Sequence, residues 1–231
     1  MTPSHDAKER KDMMALVPGC CRARVCEEFF KPKTARRRLK QYRKKGLDVL
    51  ERQMLANITA DELDGARVLE IGGGIGAIQA ELVAAGADNG EIVELVSAYE
   101  PYALELAREK GIESRSTFRV ADVLEHPESV APAHIVALNR VVCCSPDGVR
   151  LTSEAARHAQ SALVLSFPRD RFWVRFFVLM VNGALRLLGR SFRSFVHPKP
   201  SLYEAAEREG FRVATAGRCI VWEFATFRRV V

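Results

Sequence analysis

The sequence predicts an α/β chain with a doubly wound, mostly parallel sheet that ends in an antiparallel strand pair. Three observations carry this. Short apolar runs at Arg67–Ile71, Glu91–Val96, Phe118–Asp122, Ala133–Asn139 and Leu163–Pro168 alternate with stretches of helical periodicity. Gly72, Gly73, Gly74 and Gly76 sit between the first run and a helical pattern at Ile78, Leu82 and Val83. Near the C-terminus, Phe211–Ala216 and Arg218–Arg228 alternate apolar and polar residues, as strands covered on one face do.

Of the 231 residues, 48% are hydrophobic and 28% charged, which fits a folded globular chain and excludes a disordered one. The net charge is +6 and unevenly spread: nine of the fifteen residues at 31–45 (KPKTARRRLKQYRKK) are Lys or Arg, and none is acidic. Leu39, Tyr42, Leu47, Leu50, Met54 and Leu55 follow at helical intervals, so this basic segment should enter a helix that packs on the core. A basic helix can meet nucleic acid, an anionic membrane or an acidic substrate, or simply be a solvated face. The chain thus divides into a basic, Cys-containing extension or helical lid at 1–58 and a core domain at 59–231, with Thr59-Ala-Asp61-Glu62 reading as a helix cap at the boundary.

Cys20, Cys21 and Cys26 lack paired Cys-x-x-Cys spacing and have no histidine nearby, so no metal site is expected. The first residues carry charges where a signal peptide would be apolar, and a reducing cytoplasm is the expected compartment.

The glycine loop is where chemistry enters. Four glycines beside a helix N-terminus suit a backbone that must approach a ligand closely. Gly72-x-Gly74-x-x-Ala77 fits the dinucleotide fingerprint. Glu70-x-Gly72-x-Gly74-x-Gly76 fits a different ligand better. A carboxylate at the end of the strand repels a pyrophosphate and attracts a cation. This stretch resembles motif I of the class I S-adenosylmethionine-dependent methyltransferases, and the resemblance covers about residues 60–231. It implies a Rossmann-like seven-stranded sheet, with S-adenosylmethionine held by Glu70, Gly72, Gly74 and Gly76. By the same resemblance Glu94, 24 positions after Glu70, takes the ribose hydroxyls and Asp122 the adenine amino group. Tyr99 would either flank the adenine or cap a helix.

Asn139-Arg140-Val-Val-Cys143-Cys144, at the carboxyl end of the fourth strand, should face the transferring methyl group. This places Asn139 with the cofactor, and Arg140 and Cys143 with the substrate. Together with Ser166–Asp170 and the helix beyond it, the segment is similar to the magnesium-protoporphyrin methyltransferase type. That similarity implies O-methylation of a small hydrophobic or carboxylate-bearing molecule; the cysteine-containing basic extension is not part of the pattern. A hydroxyl acceptor needs a base, for which His197 and Tyr42 are the candidates. RNA (adenine) methylation is the alternative, supported by the basic stretch, but Asn139-Arg-Val-Val lacks the Pro and aromatic of that motif. A non-enzymatic cofactor-binding or membrane-surface module is the third reading.

Arg171–Arg190 is a helix with its arginines on one narrow stripe and apolar residues around the rest. It admits three placements: docked on the sheet as core, roofing an apolar substrate cavity, or lying in a membrane interface.

Overall fold

The computed structural model describes residues 23–230. Cys20 and Cys21 lie outside the described residues. Strands β1 (Arg67–Ile71), β2 (Asn89–Glu94), β3 (Ser116–Val120), β4 (Ala133–Leu138), β5 (Ala159–Pro168), β6 (Phe211–Arg218) and β7 (Trp222–Arg229) form one sheet in the order β3-β2-β1-β4-β5-β7-β6. β1 to β5 are parallel. β7 runs antiparallel to both β5 and β6, which completes the expected closing pair.

The strands read as near-continuous apolar runs because the central ones are buried on both faces. On one face, Val68 of β1, Ile135 of β4 and Val164 of β5 pack with Ile78 and Val83 of helix α5 (Ala77–Ala84) and Leu106 of α6 (Glu100–Glu109). The other face carries Leu69, Val136 and Leu163, packed with Leu151 and Ala155 of α7 (Gly148–His158) and Leu202 of α9 (Lys199–Arg208). α7 is absent from the sequence expectations, although Leu151, Thr152, Ala155 and Ala156 recur at helical spacing and form its buried face.

The N-terminal helices α1 (Ala23–Phe29), α2 (Pro32–Lys45), α3 (Val49–Leu55) and α4 (Ala60–Leu63) join the first of these cores. Leu39, Leu50 and Met54 are buried in it beside Val68, as the helical spacing of the extension anticipates. Both α3 and α4 begin with a full capping box, Asp48 with Glu51 and Thr59 with Glu62, so each short helix has its first amide groups satisfied.

The helix after β5, α8 (Phe172–Leu187), departs from the expectation of core. Val174 is its one buried residue, while Phe172, Phe176, Leu179 and Leu187 are 84%, 63%, 66% and 91% exposed. It does not roof the cavity described below either. No helix among the described residues is long and apolar enough to cross a membrane.

Candidate active site

The sheet order reverses between β1 and β4, whose chain neighbours lie on opposite sides, and this is where a doubly wound sheet opens a crevice at its carboxyl edge. β1 delivers Glu70 and then the glycine loop. Gly72 has φ +64°, and a Cβ there would stand 2.6 Å from Val141 Cγ2 on the loop after β4. A Cβ on Gly73 would stand 2.8 Å from Glu70 Cδ. The glycines therefore let the loop close over the Glu70 carboxylate and against the neighbouring loop.

Glu70 is buried, and its Oε2 accepts a hydrogen bond from the Gln79 amide at 2.8 Å. Burial pushes its pKa up to about 8, against the smaller lowering by that amide. Glu94, at the end of β2, accepts from the Gly74 amide on Oε2 (2.8 Å) and from Leu95 and Val96 amides on Oε1 (2.8 and 3.3 Å). Burial raises its pKa as well, with the three amides opposing. Through the Gly74 contact, Glu94 ties the glycine loop to the second strand. Asp122, two residues beyond β3, accepts the Leu124 amide on Oδ1 at 2.9 Å. Tyr99 lies beside Gly74, and burial followed by the charge of Glu94 raises its pKa.

Across the crevice, Asn139 donates to Glu51 Oε1 (2.9 Å) and accepts from the Ser166 hydroxyl (2.9 Å). Ser166 in turn accepts the Arg140 amide at 2.9 Å. Arg140 is the one non-glycine described residue with positive φ, +59°, a conformation that disfavours side chains by about 1–2 kcal/mol. Its guanidinium pairs with Asp48 at 2.7 Å and lies over the Trp222 ring at 5.4 Å. Arg38 of α2 pairs with the buried Glu51. The capping box of α3 therefore does two jobs: its two carboxylates start the helix and hold two arginines and Asn139. Burial pushes Asp48 upward, but the Glu51 amide and Arg140 outweigh it and hold the carboxyl below its ordinary range.

These groups surround a cavity of about 300 Å³. Its floor is the glycine loop with Glu70, Glu94 and Asp122; its far wall is Asn139, Arg140, Val141, Cys144 and Ser145; its roof is Cys26, Phe30, Thr34, Arg38 and Glu51 from the N-terminal helices. The expected cofactor residues Glu70, Gly72, Gly74, Glu94, Asp122 and Asn139 are brought together here, with Arg140. Gly76 starts α5 behind the loop and does not line the cavity.

The expected substrate and catalytic residues fare differently. Cys143 is buried, its Sγ directed to the Arg140 carbonyl at 3.3 Å, whereas its neighbour Cys144 lines the cavity. His197 is buried outside the cavity, with Nε2 between the carbonyls of Val142 and Ser145 at 3.1 and 2.9 Å. Burial lowers its pKa. It pins the loop after β4 from behind. Tyr42 also lies outside, bonded to Glu81 on α5; burial and then Glu81 push its pKa to about 12. Both positions correct the expectation of a base facing substrate: each side chain is consumed in holding one element on another. No histidine lines the cavity among the described residues. Arg38, Glu51 and Asp48 are functional candidates that sequence reading overlooked, although Asp48-x-x-Glu51 is itself a capping-box signature.

A scan against protein-family models gives no match, and a search of curated proteins gives none either. Solved structures do match. Magnesium protoporphyrin IX methyltransferase from Synechocystis, with bound SAH, aligns with a TM-score of 0.68 at 18% identity, over 90% of this chain and 99% of that one. An O-methyltransferase family protein from Burkholderia thailandensis aligns at 0.69 and 13% identity, over 97% and 68%. A putative RNA methyltransferase from Pyrococcus horikoshii aligns at 0.55 and 14%, over 79% and 85%. The fold is that of the class I S-adenosylmethionine-dependent methyltransferases.

Proposed function

We propose that this chain is an S-adenosylmethionine-dependent methyltransferase that O-methylates a small hydrophobic, carboxylate-bearing molecule. The observation that carries the cofactor is the pair of buried carboxylates, Glu70 and Glu94, under and beside a glycine loop too tight for any Cβ at Gly72 or Gly73. Burial disfavours both anions, and a ligand with sulfonium and ammonium groups offsets that penalty where a phosphate would aggravate it. Glu70 and the loop would hold the amino-acid end, Glu94 the ribose and Asp122 the adenine. Bound there, S-adenosylmethionine supplies an electrophilic methyl group.

The chain's own part is positioning. Asn139, fixed from both sides by Glu51 and Ser166, sets the wall that faces the reacting centre. Holding reactants in contact is itself a large share of such a rate enhancement. Arg140 and Arg38 bring cations to the wall and roof of a mainly apolar cavity, where a substrate carboxylate would share them with their partners Asp48 and Glu51. A carboxylate nucleophile is already ionised and needs no base, which agrees with a cavity that no histidine lines among the described residues. The strained φ of Arg140 supports a positioning role, since such conformations persist where the surroundings enforce them.

The test is calorimetry followed by a screen. Wild type should bind S-adenosylmethionine, and Glu94→Ala should weaken it at least about tenfold, as losing a charged hydrogen-bonding partner does. Absence of heat with wild type, or unchanged binding in the variant, overturns the cofactor reading. Methyl-labelled cofactor offered to small-molecule and RNA extracts should then yield base-labile methyl esters of hydrophobic acids. Label in RNA would instead select the second reading, which rests on the exposed Lys33, Arg36, Arg37 and Lys40 of α2.

A further inference from the structure

Among the described residues, none covers the outer side of helix α8. Taken at about 100° per residue from Arg171, its protein-facing strip of Val174, Val178, Val181 and Leu185 centres near 300°. The opposite arc, from about 80° to 260°, is apolar and holds Phe172, Trp173, Phe176, Phe177, Met180 and Leu187. These six are 38% to 91% exposed. Arg171, Arg175 and Arg186 lie on one shoulder between the two, at about 0° to 60°. A face this large and contiguous on the outside of a folded chain marks a contact surface.

Charge selects the occupant. Residues 169–193 contain six arginines and a single acid, Asp170. That acid is already paired with Arg175 at 2.6 Å. A second copy seated on this face would bring the same arginines to the same interface, because a two-fold contact joins identical patches. An anionic lipid surface complements both features: acyl chains accept the apolar arc, and phosphates accept arginines reaching back from its shoulder. The helix has 16 residues, about 24 Å at 1.5 Å per residue. That falls short of the roughly 30 Å hydrocarbon core, so it would lie in the interface plane. Asn182, at about 20° on the same shoulder as the arginines, fixes the following loop, donating to the Ser194 carbonyl at 2.8 Å and accepting the Ser194 amide at 2.9 Å. That loop carries Phe192, stacked on Phe29 of α1 at 4.2 Å, and the adjacent Phe30 lines the cavity.

We propose that the outer face of α8 docks on an anionic lipid bilayer, placing the roof of the cavity next to the membrane. The test is vesicle flotation of the full chain. Wild type should float with phosphatidylcholine vesicles containing phosphatidylglycerol, more weakly with phosphatidylcholine alone, and less as salt is raised. Phe176→Asp with Phe177→Asp should abolish flotation while leaving the far-ultraviolet circular dichroism and melting temperature unchanged, because both rings are exposed. Arg171→Gln with Arg186→Gln should weaken binding to anionic vesicles by about fivefold per arginine and leave binding to neutral vesicles unaltered. Failure of the wild type to float, or flotation undiminished in the phenylalanine pair, overturns the proposal. So does a wild-type dimer in light scattering that the phenylalanine pair converts to monomer, with no flotation by either; that result assigns the face to a second copy.

Discussion

Glu70 shows most directly how one residue's environment sets a measurable property. Its carboxyl is buried with a single amide for support, and its pKa rises to about 8 from the ordinary 4.5. A raised folded-state pKa means that the folded chain holds the proton longer than the unfolded one. The stabilising effect is therefore complete below pH 4.5 and is lost as pH rises through 8. We expect the unliganded wild type to lose stability across that window and Glu70→Gln, which keeps the shape and cannot ionise, to lose much less. The residual slope belongs to Glu94, shifted upward by burial too. Urea midpoints measured from about pH 5 to about pH 8 check this; parallel profiles for the two proteins would refute the assignment. Glu70, Glu94 and Asp122 were singled out by the family resemblance, and all three line the cavity at the carboxyl edge of the sheet. Glu51 was not legible as part of the site: its partner Asn139 is 88 positions away, and no local pattern encodes that contact. His197 was misplaced for the same reason, since a loop histidine's facing depends on which strand end it folds behind.

Among the elements, α3 carries the clearest energetic argument. Asp48 caps it, accepting the Glu51 amide at 3.0 Å, and also pairs with Arg140. The two roles separate by substitution. Asp48→Asn keeps a good cap and loses the full ion pair; Asp48→Ala loses both. We expect the alanine variant to be less stable than the asparagine variant by about 1 kcal/mol, the usual worth of a cap. In chemical denaturation, equal midpoints for the two variants would show that the cap adds nothing here. In substrate assays both should raise KM together, because Arg140 loses its carboxylate in each. Strands β1 to β5 were readable as elements from their apolar runs, with ends displaced by a few residues: β2 runs over Asn89–Glu94 and β5 starts at Ala159. α7 was missed although its buried Leu151, Thr152, Ala155 and Ala156 recur at helical spacing. For α8 the pattern of the wheel left three placements open, and the structure removes two of them, core and cavity roof. Periodicity reports that one arc is apolar; it carries no information on whether the sheet has room for it.

At the scale of the whole molecule, the N-terminal helices α1 to α3 close the crevice at the sheet edge into a cavity. These helices share a core with β1, and they supply the roof over the cavity. The roof is pinned at one point by aromatic contacts: Phe192 stacks on Phe29 at 4.2 Å and meets Phe30 edge-on at 5.3 Å. At a second point, Arg38 and Asn139 converge on Glu51. If cofactor binding completes this closure, α2 should become harder to open locally when the site is filled. Its exposed Lys33, Arg36, Arg37 and Lys40 are ready trypsin sites, so opening can be read as a cleavage rate. S-adenosylmethionine should slow cleavage within residues 31–45 in wild type. Phe192→Ala removes a buried ring that joins the loop after α8 to α1, a change that typically costs about 3–5 kcal/mol in a core and less where one side is open. In that variant the unliganded cleavage should be faster and the protection by cofactor smaller. Calorimetry on the same samples separates the causes: retained affinity with lost protection means that the roof closes independently of cofactor contacts. Protection equal to wild type means that the Phe29–Phe192 stack does not hold the roof, and that the Glu51 junction alone does so.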